Sequence, residues 1–323
     1  MTIKDVAKKT GYSMATISKY INGGKVKPRY AENIQKVIEE LKFKPNYIAQ
    51  ALRSNTTYTV GVLVPDLVNL FSMHIVSSLE WELQKSGYCT LVCDCANDVQ
   101  FEGAKIQFLL DKQVDGLVIM PCSYEGGHIK EIVNNKVPIV LIDRLCNNLD
   151  VDAIITNNKE ISEKATSYLL DSFSRVAIVC SKNIYTADER MQGYLDAHAN
   201  KNATVFDRYI KMGHNTIRGG YEAMNELWIE SKRPEALFIT NYEMTIGVMM
   251  AINELGINIS TEITIIGFDS IDLVKVVKPS LMAISQPMDA IGKTAGKQIL
   301  TRIKSKDYSN PKRIILNAEF NGK

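Results

Sequence analysis

The sequence predicts an α/β protein: an N-terminal three-helix headpiece of the helix-turn-helix type, followed by a two-lobed, doubly wound body. Three observations carry this. The stretch from Thr2 to Asn22 reads as two short helices joined by a glycine turn. Residues 1–53 hold 11 lysines and arginines against four acids, a net +7, whereas the whole chain is +2 and its other 270 residues therefore carry −5. From Thr59 onward the period changes, and continuous apolar runs alternate with helical patterns.

In the headpiece, Thr2 and Asp5 have the spacing of a capping box. Ile3, Val6 and Ala7 share one helical face, and Gly11 stands where a left-handed C-cap belongs. Ser13 caps a second helix, in which Ile17 and Ile21, four apart, take the buried side. Met14, Ala15, Ser18 and Lys19 are left facing outward, as in a recognition helix that reads base edges in a major groove. The pattern alone also fits a plain pair of surface helices. A basic head on an acidic body is what favours a reader of DNA.

After the loop Gly23-Gly24-Lys25, Pro28 suits the first position of a third helix running to about Lys42. Its Ile34, Val37, Ile38 and Leu41 form one apolar stripe that closes the head. Residues 45–57 form a joint, broken from that helix by Pro45. Within it Tyr47–Arg53 favours a helix too short to stand alone, so it would order only on a partner surface. Leu52 would then wedge into a minor-groove step while Arg53 meets phosphate. A simple linker with Leu52 packed on the body fits equally well.

The body carries apolar runs at 60–65, 88–95, 116–120, 138–143, 175–180, 236–240 and 262–268, with helical segments between them. Runs without alternation, linked by helices, imply parallel strands buried on both faces. About 265 residues is large for one such sheet, so two lobes with a cleft between them are expected. Ligands of such sheets bind beyond the carboxyl ends of the strands. Found there are Pro65-Asp66, Asp94, Asp143-Arg144, Asn241 and Asp269.

Composition excludes other classes. At 46% hydrophobic residues the chain can bury a full core. No signal peptide and no apolar run near the ~20 residues of a membrane span is present, so a cytoplasmic protein with no membrane partner is expected. The six cysteines form no CxxC pair, and are read as reduced core thiols, with no metal and no cofactor. The four histidines are scattered, and no paired acid/base carboxylates, phosphate loop or triad supports an enzyme. A sugar-handling enzyme is the remote alternative.

With these motifs placed, the chain resembles the LacI/GalR family of bacterial transcription regulators over nearly its whole length. The likeness is carried by TIKDVAKKTGYSMATIS with Asn22, KPNYIAQALR, VGVLVPDLVNLF, QVDGLVIMP, PIVLIDR, EMTIGVMMAINELGI, TIIGFDSIDL and ISQPMDAIG. It implies a homodimer with a DNA-binding headpiece at 1–44, a hinge at 45–57, and an effector-binding and dimerisation body at 58–323 like periplasmic sugar-binding proteins. Three segments would cross between the lobes, the first at about 58–156 and 287–306, the second at about 157–286 and 307–323. The function implied is a repressor of carbohydrate-related genes. It would bind a near-palindromic operator under control of a small ligand, a sugar or sugar derivative, held in the cleft.

Carried over residue by residue, Met14, Ala15 and Lys19 match base-reading positions, and Thr2, Ser13, Thr16, Ser18 and Asn22 match phosphate-contacting ones. Tyr47, Ala49, Leu52 and Arg53 complete the DNA-binding set from the hinge. In the cleft Arg190 matches a ligand-gripping arginine and Asp269 a sugar-hydroxyl acceptor, while Phe71, Asp143, Asn241 and Gln286 match lining positions. Each has a plainer reading: Arg190 could pair with Glu189, Asp269 could cap a turn, and Phe71 could be core. His214 lies near a ligand position. The chain departs from the family pattern at Lys19, usually Arg, and at Leu70, Ser72 and Tyr242, which leaves operator sequence and ligand identity open. SMAT followed by VKP is similar to catabolite control protein A, which allows a phosphorylated carrier protein as an alternative controlling partner.

Overall fold

The computed structural model describes residues 1–21, 24–43, 56–133, 137–259, 261–269 and 281–321, and the chain divides into two compact units, Met1–Tyr58 and Thr59–Lys323.

The first unit contains α1 (Ile3–Thr10), α2 (Met14–Ile21) and α3 (Pro28–Glu40). The Asp5 carboxylate reaches back to the Thr2 N–H at 2.7 Å, and these bonds hold its pKa below the usual carboxylate value. Gly11, at φ 74°, ends α1 with its N–H on the Ala7 carbonyl. The Thr16 N–H donates to Ser13 Oγ at 3.2 Å, so Ser13 starts α2 as its side chain predicts. Val6, Ile17, Ile34 and Val37, each from the apolar face of its helix, form the core with Phe43 from the turn after α3. Gly24 is fixed by crowding: a Cβ there would lie 2.6 Å from Lys19 Cγ and 2.8 Å from its carbonyl oxygen. Asn22 and residues 44–55, with the expected hinge residues Tyr47, Ala49, Leu52 and Arg53, lie outside the described residues.

The second unit is built on two six-stranded sheets with the same plan. The first contains β1 (Thr59–Val64), β2 (Cys89–Asp94), β3 (Gly116–Ile119), β4 (Ile139–Ile142) and β5 (Asp152–Thr156). The second contains β6 (Val176–Cys180), β7 (Ile210–Met212), β8 (Ala236–Ile239), β9 (Thr264–Phe268) and β10 (Met282–Ser285). The chain then returns to each sheet once, as β11 (Arg313–Leu316) and β12 (Glu319–Asn321). Strand orders are β11-β5-β4-β3-β1-β2 and β12-β10-β9-β8-β6-β7, all parallel except the β10–β12 pair. The connecting helices are α4 (Leu70–Gln84), α5 (Val99–Asp111), α6 (Gly127–Val133), α7 (Asn158–Leu170), α8 (Tyr185–Asn200), α9 (Ile217–Trp228), α10 (Tyr242–Glu254) and α11 (Met288–Ser305). Each sheet has a separate apolar core on either face, as uninterrupted apolar strands require. Among the described residues no helix is long and apolar enough to cross a membrane.

All seven apolar runs are strands. The tail corrects one expectation. Residues 307–323 do not all belong to the second lobe, because Arg313–Leu316 pairs in parallel with Ala153–Thr156 of the first sheet. Ile314 and Leu316 pack on the first lobe's core, which decides the pairing. Among the described residues of the tail, Glu319–Asn321 is what pairs with the second sheet.

The approach to β11 is tied down by Arg302 on α11. Its Nε and Nη2 donate to the two oxygens of Asp152 at 2.6 and 2.8 Å, and the remaining N–H groups reach the carbonyls of Asp307, Ser309 and Asn310. Gln298 and the Lys312 N–H also donate to Asp152.

Three segments pass between the sheets, after β5, after β10 and after β11. They are bonded to one another: Thr156 Oγ1 donates to Gln286 Oε1 at 2.7 Å, and the Ala318 N–H donates to Asn157 Oδ1 at 2.8 Å.

Candidate functional site

The repeated plan of the two sheets puts one aspartate of each lobe at the same place. Asp143 follows β4 and Asp269 follows β9, the same position in each strand order. Each adopts a left-handed backbone, φ 66° and 58°, a conformation uncommon outside glycine and concentrated at functional sites. Each backbone N–H is fixed at 2.9 Å on the neighbouring strand, Asp143 on the Ile154 carbonyl and Asp269 on the Ile284 carbonyl. Both side chains line one cleft between the lobes, which encloses about 760 Å³ counting its open mouth.

Arg190 enters this cleft from α8 and is itself 6% exposed. Its Nε donates to Asn158 Oδ1 at 2.8 Å and its Nη1 to the Thr240 carbonyl at 2.6 Å, while the guanidinium stacks 3.5 Å above the Phe268 ring. The plainer pairing with Glu189 is therefore not what holds it. Burial pulls the Arg190 pKa down, opposed by the charges of Asp269 and Asp143. Burial raises Asp143 against the pull of Arg144 and Arg190. It pushes Asp269 up to about 6, against the pull of Arg190 and the hydrogen bond from Gln286 Nε2 at 2.8 Å.

Around Arg190, three buried oxygens have no hydrogen-bond partner among the described residues: Asp143 Oδ1, Asp269 Oδ1 and Thr240 Oγ1. Arg144 Nε in the same cleft likewise lacks a hydrogen-bond partner, as do the Ser162 and Thr166 hydroxyls on α7 outside it. Buried polar atoms are almost always paired, so the four in the cleft are polar groups open to a ligand's own.

Gln286 and Asn241 also line the cleft, but much of their capacity is spent on structure. Gln286 bridges Thr156 and Asp269. Asn241 caps α10, accepting from the Met244 N–H at 2.8 Å. Phe71 does two jobs, lining the cleft and packing on the first lobe's core. Arg144 stays with its own lobe, donating to the Pro121 carbonyl at 3.0 Å. His214 is exposed and its neighbour Asn215 lines the cleft instead.

Several cleft residues were not picked out from the sequence. The Glu243 carboxylate accepts from Asn69 Nδ2 of the first lobe at 2.5 Å and from Asn241 Nδ2 of the second at 2.8 Å, linking two helix N-caps across the mouth. Burial raises its pKa, opposed by those two bonds. A capping asparagine before each helix was a usable signal; the glutamate had none.

In the head, Met14, Ala15 and Lys19 are exposed on α2, and Thr16 and Ser18 half-exposed beside them, with Thr2 and Ser13 exposed at the helix starts. The outward set read from the spacing is thus presented on a helix whose other face is sealed by Ile17.

Two family models match this chain. Residues 2–46 fit "Bacterial regulatory proteins, lacI family", and residues 57–323 fit "Periplasmic binding proteins and sugar binding domain of LacI family". The chain belongs to the LacI family. Among LacI-family relatives, the HTH-type transcriptional repressor PurR of Vibrio vulnificus is 32% identical over 313 residues, covering 95% of this chain and 93% of that protein. Catabolite control protein A of Priestia megaterium is 30% identical over 311 residues, with the same coverage. A LacI-family transcriptional regulator from Enterococcus faecium, solved with bound ribose, superposes with a TM-score of 0.74 at 25% identity, covering 82% of this chain and 97% of that one. Like its relatives, this LacI-family chain is a DNA-binding transcriptional regulator.

Proposed function

We propose that this protein is a repressor acting as a cytoplasmic homodimer on a near-palindromic operator, released or tightened by a hydroxyl-rich effector, a sugar or sugar derivative, in the cleft. The single observation that carries the effector class is the set of unpartnered acceptors, Asp143 Oδ1, Asp269 Oδ1 and Thr240 Oγ1, gathered around a fixed arginine. Vicinal hydroxyls donate to carboxylates and accept from a guanidinium in forked pairs. Phe71 offers an aromatic face to the ring. The ribose-bound relative supports this class. On this reading Asn22, Tyr47, Ala49, Leu52 and Arg53 join the α2 residues at the DNA, and the protein performs no catalysis.

The test is a thermal-shift screen against mono- and disaccharides, sugar phosphates, nucleobases and nucleosides, followed by operator binding with each hit. A ligand at 100 times its dissociation constant adds about 2.7 kcal/mol of stability. A hit that alters operator binding supports the reading. A blank screen from folded, DNA-binding protein would replace the effector with a phosphorylated carrier protein.

The cleft should also sense pH. Asp269, raised to about 6, is neutral below that value and a full acceptor above it, so effector affinity rises as pH goes from 5 to 7. Calorimetric titrations across that range should show the trend in wild type and lose it in Asp269→Asn. At the DNA, Lys19→Ala should weaken operator binding about tenfold and lower the dimer's salt slope by about two, one per protomer, if Lys19 meets phosphate, or relax base preference without changing the slope if it meets a base edge.

A further inference from the structure

Behind the cleft wall of the first lobe, four elements bring together residues far apart in sequence. Cys95 follows β2, Glu102 lies in the first turn of α5, Cys122 follows β3 and His128 is on α6. The sulfurs of Cys95 and Cys122 and a carboxylate oxygen of Glu102 all lie within 4.8 Å of one another. Glu102 is fully buried and Cys95 is 1% exposed. One Glu102 oxygen accepts the Cys122 N–H at 2.8 Å and the other meets His128 Nε2 at 2.7 Å.

Each Glu102 oxygen has one strong partner and keeps further lone pairs, and two soft sulfurs lie within reach of the same carboxylate. The same three groups are a good ligand set for a thiophilic ion. Zinc binds thiolate at about 2.3 Å and carboxylate at about 2.0–2.2 Å in a tetrahedron, which separates ligand atoms by roughly 3.5–3.8 Å. An imidazole bonded to the carboxylate orients that ligand, as outer partners do at metal sites. The cysteines lack CxxC spacing because the ligands come from the ends of β2 and β3, the two parallel strands that flank β1, rather than from one turn.

We propose that Cys95, Cys122 and Glu102 form a binding site for a thiophilic divalent cation of the zinc class, with His128 as the positioning partner of Glu102. The site adjoins the effector cleft without belonging to it. Asn97 and Met120, each two residues from a ligand cysteine, line the cleft, and the carbonyl of Pro121 holds Arg144. An ion here would stiffen the cleft's first-lobe wall and give the regulator a second input.

The test uses the full-length protein, reduced and freed of metal by chelator, titrated with cobalt(II) as a spectroscopic stand-in for zinc. The expected result is one equivalent of cobalt showing a thiolate-to-metal charge-transfer band and tetrahedral d–d bands, both removed by one equivalent of zinc. Cys95→Ser and Cys122→Ser should each reduce the charge-transfer band by about half or abolish it, whereas Cys89→Ser should not change it. Glu102→Gln and His128→Ala should weaken the site about 10–100-fold. A wild-type protein with reduced thiols and no charge-transfer band overturns the proposal, and that titration decides even if a variant fails to fold. A band unchanged in both Cys95→Ser and Cys122→Ser also overturns it.

Discussion

Arg190→Ala is expected to abolish the response to effector while operator binding persists. The side chain is held from three directions, by Asn158, by the Thr240 carbonyl and by the Phe268 ring, so its position does not wait for ligand. Removing it deletes the cleft's fixed cation and leaves Asp143 and Asp269 buried without it. Breaking such a buried charge arrangement costs about 3–5 kcal/mol. The cost depends on pH. Both carboxyls already titrate above their unfolded values, and without Arg190 they rise further. A raised carboxylate pKa means that stability falls as pH rises through it, so the variant should be weakest at pH 7 and recover toward pH 5. Urea melts at the two pH values, paired with operator binding with and without the screened ligand, check both parts. A variant that still answers the ligand would move the effector site away from Arg190.

Arg302→Ala should cost a similar amount by a different route, about 3–5 kcal/mol of the body's unfolding free energy, with no direct contact to the cleft. The guanidinium is 7% exposed as a residue, and every one of its N–H groups is used, two on Asp152 and three on the carbonyls leading into β11. Its loss strands a buried carboxylate and frees the turn that delivers the edge strand. Burial alone would raise Asp152, but the bonds from Arg302, Gln298 and the Lys312 N–H outweigh it and hold the pKa below 3.8. That contribution is present above the unfolded value and lost as pH falls through the folded one. Wild type should therefore lose this stability only in strong acid. Denaturant melts of Arg302→Ala at neutral pH measure the effect, and a loss under about 1 kcal/mol would mean the pair is screened like an exposed one.

Much of this architecture was legible because burial on both faces writes long apolar runs into the chain, and β1, β4 and β9 need no partner to be recognised. The edge strands were not. The three residues of β7 carry a lysine between two apolar neighbours, and RIIL of β11 says strand without saying which sheet. The choice between sheets was made by packing on a distant core, hence the misplaced tail. Asp143 and Asp269 were readable because each ends an apolar run. Asn158 and Glu243 were not, since they act through partners 32 and 174 residues away. The Cys95–Glu102–Cys122 cluster escaped for the same reason: parallel strand ends converge in space but not in sequence.

The late return of the chain to its first sheet has a consequence for how the molecule comes to be made. A chain leaving the ribosome completes β6 to β10 while the earlier lobe still lacks α11, which covers α4, and β11, which closes its edge. The Asp152–Arg302 contact must close a loop of 150 residues. Contacts of such separation form slowly, because the entropy of the intervening chain is lost before they contribute. The lobe synthesised second is thus the first able to seal most of its interior, and the lobe synthesised first stays open until α11 and β11 arrive.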